Sequence, residues 1–233
     1  MPLSHIGLAV LVTILWGVNF SFIKLGLQDM PPLLMTGLRF ALAGLPIIFL
    51  PYPRGLGKYI LGYGFCFAAL QFGLLFSAMA LGMSASLTSV IAQAQAMFTL
   101  IFAWLLTKEM IRGHNIIAMI IAMTGLGLIA QDSAATLGGI MPFFLLICAA
   151  ASWGLSNIII KKAQPPTLAP FIAYASLVAP IPLFIFSYFW EGPDLILHSL
   201  QTIDSSSIVA LLYLAFIATS LCAWWAAPRP RPP

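Results

Sequence analysis

The chain has 233 residues, of which 61% belong to the set AVILMFWYC and only 7% are charged, against roughly 25% charged in an ordinary soluble domain. Ten Lys and Arg with six Asp and Glu, net charge +4, cannot cover a soluble surface, and the hydrophobicity excludes disorder. The class that remains is an all-α, polytopic integral membrane protein, with room for roughly eight or nine spans of about 20 residues.

The first 23 residues carry no Lys or Arg. A cleavable signal peptide needs a basic opening, so the first apolar run, 5–25, reads as a retained span. The second span, 33–50, is bracketed by Pro31-Pro32 and by Pro51 and Pro53. The charge-free stretch 59–107 would reach about 74 Å as one helix, far beyond a ~30 Å hydrocarbon core. It must fold back once, and Gly82-Met83-Ser84 predicts the break, giving spans 59–80 and 86–107. Four more follow at 114–131, 139–161, 168–189 and 207–225. Cys66, Cys148 and Cys222 sit inside apolar stretches with no C-x-x-C pattern and read as small packing residues. His5, His114 and His198 lie near span ends without a second ligand at metal spacing, so no metal or other cofactor is expected.

Loop charges set an orientation. With the N-terminus in the cytoplasm, Arg54, Lys58, Lys108, Arg112, Lys161, Lys162, Arg229 and Arg231 all fall inside, eight of the ten basic residues. Lys24 and Arg39 are left near the outer ends of spans one and two. Asp29, Asp132, Glu191, Asp194 and Asp204 fall outside and Glu109 inside. The basic residues stand singly or in pairs, with no face to follow a phosphate backbone, so nucleic acid is not an expected partner.

The chain repeats itself. Trp16-Gly17, Ile23 and Lys24 match Trp153-Gly154, Ile160 and Lys161 at an offset of 137. At an offset of 134, Pro31-Pro32, Leu34, Ala41 and Pro46-Ile47 match Pro165-Pro166, Leu168, Ala175 and Pro180-Ile181. Spans one and two thus resemble spans six and seven. An odd number of spans between copies inverts the second, the pattern of secondary transporters that bind substrate where the halves meet. The expected organisation is a first five-helix repeat over 1–133, a second repeat of three helices over 134–225, and a Pro/Arg-rich tail over 226–233. Two five-helix repeats need ten spans, so about eight of the ten are present and the second repeat reads as truncated.

These residues carry a resemblance. Trp16-Gly17-x-Asn19-Phe20, Gly37-Leu38-Arg39-Phe40 and Lys108-Glu109 resemble the EamA-type transporters of the drug/metabolite transporter superfamily. Met30-Pro31-Pro32-Leu33, Leu61-Gly62-Tyr63-Gly64, Gln93-Ala94-Gln95-Ala96, the segment from His198 to Asp204, and Tyr213-Leu214-Ala215-Phe216 are similar to the bacterial exporters of O-acetylserine and cysteine. The resemblance implies a multi-pass protein of the bacterial inner membrane. It implies a secondary transporter, not an enzyme, exporting small amino-acid metabolites such as cysteine and O-acetylserine. Its partners would be that small-molecule substrate, the lipid bilayer and, to cover exposed helix faces, a second copy in a homodimer. The competing readings are a same-fold exporter of other amino acids or drug-like compounds, and an inactive truncated remnant.

A zwitterionic cargo needs acceptors for its ammonium and donors for its carboxylate, within walls that exclude water. Polar residues at mid-span face a partner helix or a cavity. The substrate-pathway candidates are Trp16 and Asn19 on one face of span one, Arg39, Gln71, Gln95 and Asn157. Gln93 and Gln95 stand about 200° apart round a helix, so only one can face a small cavity, and Gln95 is favoured. For Arg39 the competing role is snorkelling to the outer surface, and for Trp16 and Asn19 an interfacial anchor and interhelical glue. No Asp or Glu lies at mid-span in the first 222 residues, so a facilitator and a proton antiporter both stay open.

Overall fold

The computed structural model describes residues 3–136 and 140–221. Cys222, Arg229, Arg231, the end of the eighth expected span and the tail 226–233 lie outside the described residues, which contain helices and no strand. Helix α1 (Leu3–Gly26) forms span one. Helix α2 (Pro32–Gly44) tightens into a 3-10 turn, Leu45–Phe49, to complete span two. Span three is α3 (Gly57–Tyr63), a π-helical segment (Gly64–Gln71) and α4 (Phe72–Ala80). Span four is α5 (Ala85–Ala92) and α6 (Gln95–Thr107). Helices α7 (Gly113–Thr136) and α8 (Ile140–Ala163) are spans five and six. Span seven is α9 (Leu168–Ser176) with α10 (Pro180–Trp190). A short helix, α11 (Pro193–Thr202), precedes span eight, which is α12 (Ser205–Leu212) and a second π-helical segment (Tyr213–Leu221).

Each expected span thus coincides with helix among the described residues. Pro32–Phe49, Gly57–Ala80, Ala85–Thr107, Ile140–Ala163 and Leu168–Trp190 are long and apolar enough to cross a bilayer. Val10–Gly26 and Gly113–Ile129 are shorter apolar helices, and Ser205–Thr219 is bent by 102° from Pro193–Thr202. The fold is a polytopic helical bundle.

Local chemistry explains the breaks. Gly82 takes φ +103°, a conformation open to glycine, and Ser84 caps α5 by accepting from the Leu87 N–H at 3.3 Å. Proline lacks an N–H, so it interrupts a helix interior. Pro46 stands where α2 gives way to its 3-10 turn, and its repeat counterpart Pro180 opens α10 after α9 has ended. The matched prolines therefore break their spans at matched places.

The packing is that of a protein whose solvent is lipid. Large apolar side chains such as Ile121, Phe189 and Trp190 are exposed, while Asn19, Thr36, Arg39, Gln71, Thr88, Ser152, Ser156 and Ser176 are buried. The main core gathers Ile23, Met35, Phe40, Phe72, Phe76, Leu146 and Leu214 from spans one, two, three, six and eight. Both π-helical segments pack against α2 and α9, the helices of spans two and seven. Spans two, three, seven and eight thus meet in the middle of the bundle, which spans one and six also line.

Candidate functional site

Helix α2 carries Arg39 into that middle. Arg39 is 3% exposed, so it does not snorkel to the surface. Its guanidinium carbon lies 4.2 Å from the centre of the Phe72 ring, with Phe40 at 5.2 Å and Phe76 at 5.8 Å. Its Nη2 and Nε donate to Thr219 Oγ1 at 3.1 and 3.3 Å. Aromatic faces attract a guanidinium through their quadrupoles, more strongly where water is excluded.

An aromatic wall continues from Phe72. Phe72 meets Phe67 edge-on with centroids 5.4 Å apart, Phe67 meets Trp153 at 6.2 Å, and Trp153 meets Trp16 at 5.9 Å. Trp16 is 42% exposed, so the wall runs from a partly open tryptophan to a buried cation. Trp153, Phe67, Phe72 and Thr219 are absent from the sequence-based candidates. Trp153 carried a signal, being the repeat counterpart of Trp16. Phe67 and Phe72 carried none in a span rich in phenylalanine.

Asn19 and Gln71 are 8% and 2% exposed. Asn19 Oδ1 and Gln71 Oε1 are buried and accept no hydrogen bond. Leaving a buried acceptor unmet costs about 1–3 kcal/mol, so two such oxygens mark places suited to an incoming donor. Gln71 closes the first π-helical segment; such segments are rare and recur at functional sites.

Gln95 and Asn157 meet each other. Asn157 Nδ2 donates to Gln95 Oε1 at 2.8 Å and to Thr99 Oγ1 at 3.0 Å, tying span four to span six. Gln93, two residues earlier, is exposed and lines an apolar groove of about 450 Å³ between spans four and five. The α-helical pattern is interrupted between them because the Gln93 and Ala94 N–H groups turn to carbonyls three residues back, Val90 and Ile91, at 3.1 and 3.0 Å. The close approach of α6 to α8 depends on Gly154. A Cβ there would stand 2.7 Å from Phe98 Cβ and 2.9 Å from the Thr99 nitrogen.

Polar contacts at span ends join spans far apart in sequence. Glu191 accepts from the Leu33 and Leu34 N–H groups at 2.6 and 3.1 Å and from Ser187 Oγ, so the end of span seven caps α2. Asp29 Oδ2 accepts from Ser207 Oγ at 2.7 Å, which joins span one to span eight. At the other end, Lys161 Nζ donates to both Glu109 oxygens at 2.6 and 2.8 Å, and Lys162 Nζ to the Leu106 carbonyl at 3.2 Å. The Lys161 ammonium, with the Thr107 hydroxyl, holds the Glu109 carboxyl below the usual carboxylate range. Glu109 therefore pairs with Lys161 and not with its neighbour Lys108. Among the described residues, no three or more His, Cys, Asp or Glu gather closely enough to hold a metal ion.

Residues 3–131 match the model of the EamA-like transporter family. The chain is 38% identical over 221 residues to the "Probable amino-acid metabolite efflux pump" of Escherichia coli strain K12, covering 91% of this chain and 73% of that protein. The chain belongs to the EamA-like transporter family. The "Probable amino-acid metabolite efflux pump" of Salmonella typhimurium is also 38% identical, over 92% of this chain and 74% of its own length. The "Uncharacterized transporter YvbV" of Bacillus subtilis is 28% identical over 78% of this chain and 62% of its own length. No solved structure matches. EamA-like membership, within the drug/metabolite transporter superfamily, makes the chain a multi-pass membrane transporter acting on a small molecule, and not an enzyme.

Proposed function

We propose that this EamA-like transporter exports amino-acid metabolites, cysteine and O-acetylserine among them, across the bacterial inner membrane, with its N-terminus in the cytoplasm. The observation that carries this reading is Arg39, a permanent cation 3% exposed in an apolar bundle. A charge there is costly and is a functional candidate by default. Guanidinium matches carboxylate in shape and charge, and every α-amino acid brings a carboxylate. The unmet oxygens of Asn19 and Gln71 suit the ammonium of the same molecule. Trp16 belongs to the aromatic wall of the pathway. Gln95 and Asn157 form its side between spans four and six. The matched prolines and the contact between Trp16 and Trp153 support two inverted repeats, 1–133 and 134–225, that rock about this site. The relatives named amino-acid metabolite efflux pumps support the cargo class.

The test is counterflow of labelled cysteine and O-acetylserine into proteoliposomes holding the full chain. The native protein should exchange both, and Arg39→Gln should lose about tenfold or more in apparent affinity. Exchange of other amino acids or drug-like compounds in place of these two would reassign the cargo. Native affinity in Arg39→Gln would remove Arg39 from the site.

A further inference from the structure

We infer that Thr219 is a positioning residue for substrate recognition: its hydroxyl oxygen sets the Arg39 guanidinium for the carboxylate of the transported amino acid. This rests on the assignment of Arg39 as the carboxylate partner.

A hydroxyl has one proton to donate and two lone pairs to accept with. Thr219 Oγ1 donates its proton to the Leu214 carbonyl at 2.9 Å. That carbonyl lies five residues back, the spacing of the π-helical segment Tyr213–Leu221. With the proton committed there, both lone pairs serve Arg39, taking Nη2–H at 3.1 Å and Nε–H at 3.3 Å. All three hydrogen-bonding capacities of the side chain are used. The wider turn of the π-helix thus has a chemical consequence, the orientation of one oxygen.

Thr219 and Phe72 hold different parts of the cation. Thr219 holds the edge of the guanidinium formed by Nε and Nη2, and the Phe72 ring at 4.2 Å covers its face. A carboxylate in place of Thr219 would orient the guanidinium equally well but would also neutralise it. A hydroxyl orients it without itself adding a counter-charge, which suits recognition of an anionic ligand. Arg39 comes from span two and Thr219 from span eight, on opposite sides of the sequence repeat. The orientation of the cation therefore depends on how the halves are docked, which links carboxylate recognition to their movement.

The experiment compares KM and Vmax for labelled cysteine, under reducing conditions, in proteoliposomes of the native chain and its variants. Thr219→Val keeps the side-chain shape and removes the acceptor. It should raise KM about tenfold with Vmax within about twofold, and Thr219→Ser should restore KM to within about twofold of native. A native KM in Thr219→Val overturns the inference and leaves the Arg39 assignment standing. A native KM in Arg39→Gln overturns both. Equal damage from Thr219→Val and Thr219→Ser assigns Thr219 a purely steric role and also overturns the inference. Should Thr219→Val not reach the membrane, Thr219→Cys carries the test. Sulfur is a weak acceptor, so KM should rise about threefold, and an unchanged KM overturns the inference.

Discussion

Trp16 and Trp153 stand with ring centroids 5.9 Å apart and planes tilted by 51°, and they open the two copies of one repeated motif. In an inverted repeat, counterparts approach one another only where the two-fold axis passes. A contact between them is what such an axis would require, and it joins span one to span six. Tilted aromatic pairs add about 0.5–1.5 kcal/mol beyond the area they bury. Trp16→Ala and Trp153→Ala should therefore be non-additive in thermal stability, with a coupling in that range. Strict additivity in a double-mutant cycle would reduce the contact to coincidence.

The second residue of the same motif separates its copies. Gly154 lies against Phe98 and the Thr99 backbone, whereas a Cβ on Gly17 would meet nothing within 4 Å. Gly154→Val should force α6 from α8 and cost about 2 kcal/mol or more, and Gly17→Val should cost about 0.5 kcal/mol or less. Thermal midpoints of the two variants in detergent decide it. Equal sensitivity would show that α1 packs as closely as α8 does.

Gln95 and Asn157 make a paired prediction. Each single leucine substitution removes the bond between these two half-buried amides, with Asn157 keeping its bond to Thr99 when Gln95 is replaced, and should cost about 1 kcal/mol. The double substitution removes both polar groups and should recover most of that loss. Thr99 Oγ1 also donates to the Gln95 carbonyl at 2.7 Å, so it keeps a partner in every variant. A double variant as unstable as the sum of the singles would mean that the amides do more than satisfy each other. Counterflow on the same variants tests their place in the pathway.

Much of the fold was legible because the chain's few charges, its prolines and one glycine punctuate it. Pro31-Pro32 and Gly82-Met83-Ser84 mark real ends, and the expected spans fall on the observed helices. The interruption between α5 and α6 at Gln93-Ala94 was not legible. It needs no proline, only two N–H groups turning to nearer carbonyls. Helix α11, in the connection between spans seven and eight, was not legible either, since at ten residues it is too short to read as a span. The site was legible in part. Hydropathy ranks burial in water, but here lipid-facing and core-facing surfaces are both apolar, so it cannot say which side of a helix faces inward. Arg39, Asn19 and Gln71 stood out as polar groups at mid-span. Thr219 did not, because a threonine in a helix ordinarily satisfies itself locally, and its role depends on a π-helical turn that the sequence does not announce.

Glu191 predicts how α2 is held. No side chain of its own caps that helix, and the carboxylate arriving from span seven accepts two of its first N–H groups. A carboxylate at a helix N-terminus combines a cap with a favourable dipole interaction, together about 1–2 kcal/mol. Glu191→Ala should lose that stability and Glu191→Gln should keep about half, since an amide still accepts one bond without the charge. Midpoints measured at neutral pH in low salt check the order. Equal losses in both variants would show that only the charge counts.

The Glu109–Lys161 pair predicts a pH dependence of known sign. The folded state holds the Glu109 carboxyl below its usual value, first through the Lys161 hydrogen bond and then through Thr107. A depressed carboxylate contributes stability that is fully present above the ordinary value near about 4.3 and is lost as pH falls through the depressed one. Both side chains of the pair are about half exposed, at 55% and 46%, so the contribution is small and screened by salt. Glu109→Gln should therefore lower the thermal midpoint slightly at pH 7. The gap from the native chain should close as pH falls below the carboxylate range, and it should narrow at neutral pH when salt is raised. The pair ties the end of span four to the end of span six, beside the Lys162 bond to Leu106. A gap that persists at low pH would place the stabilisation in packing by the Glu109 side chain and not in its charge.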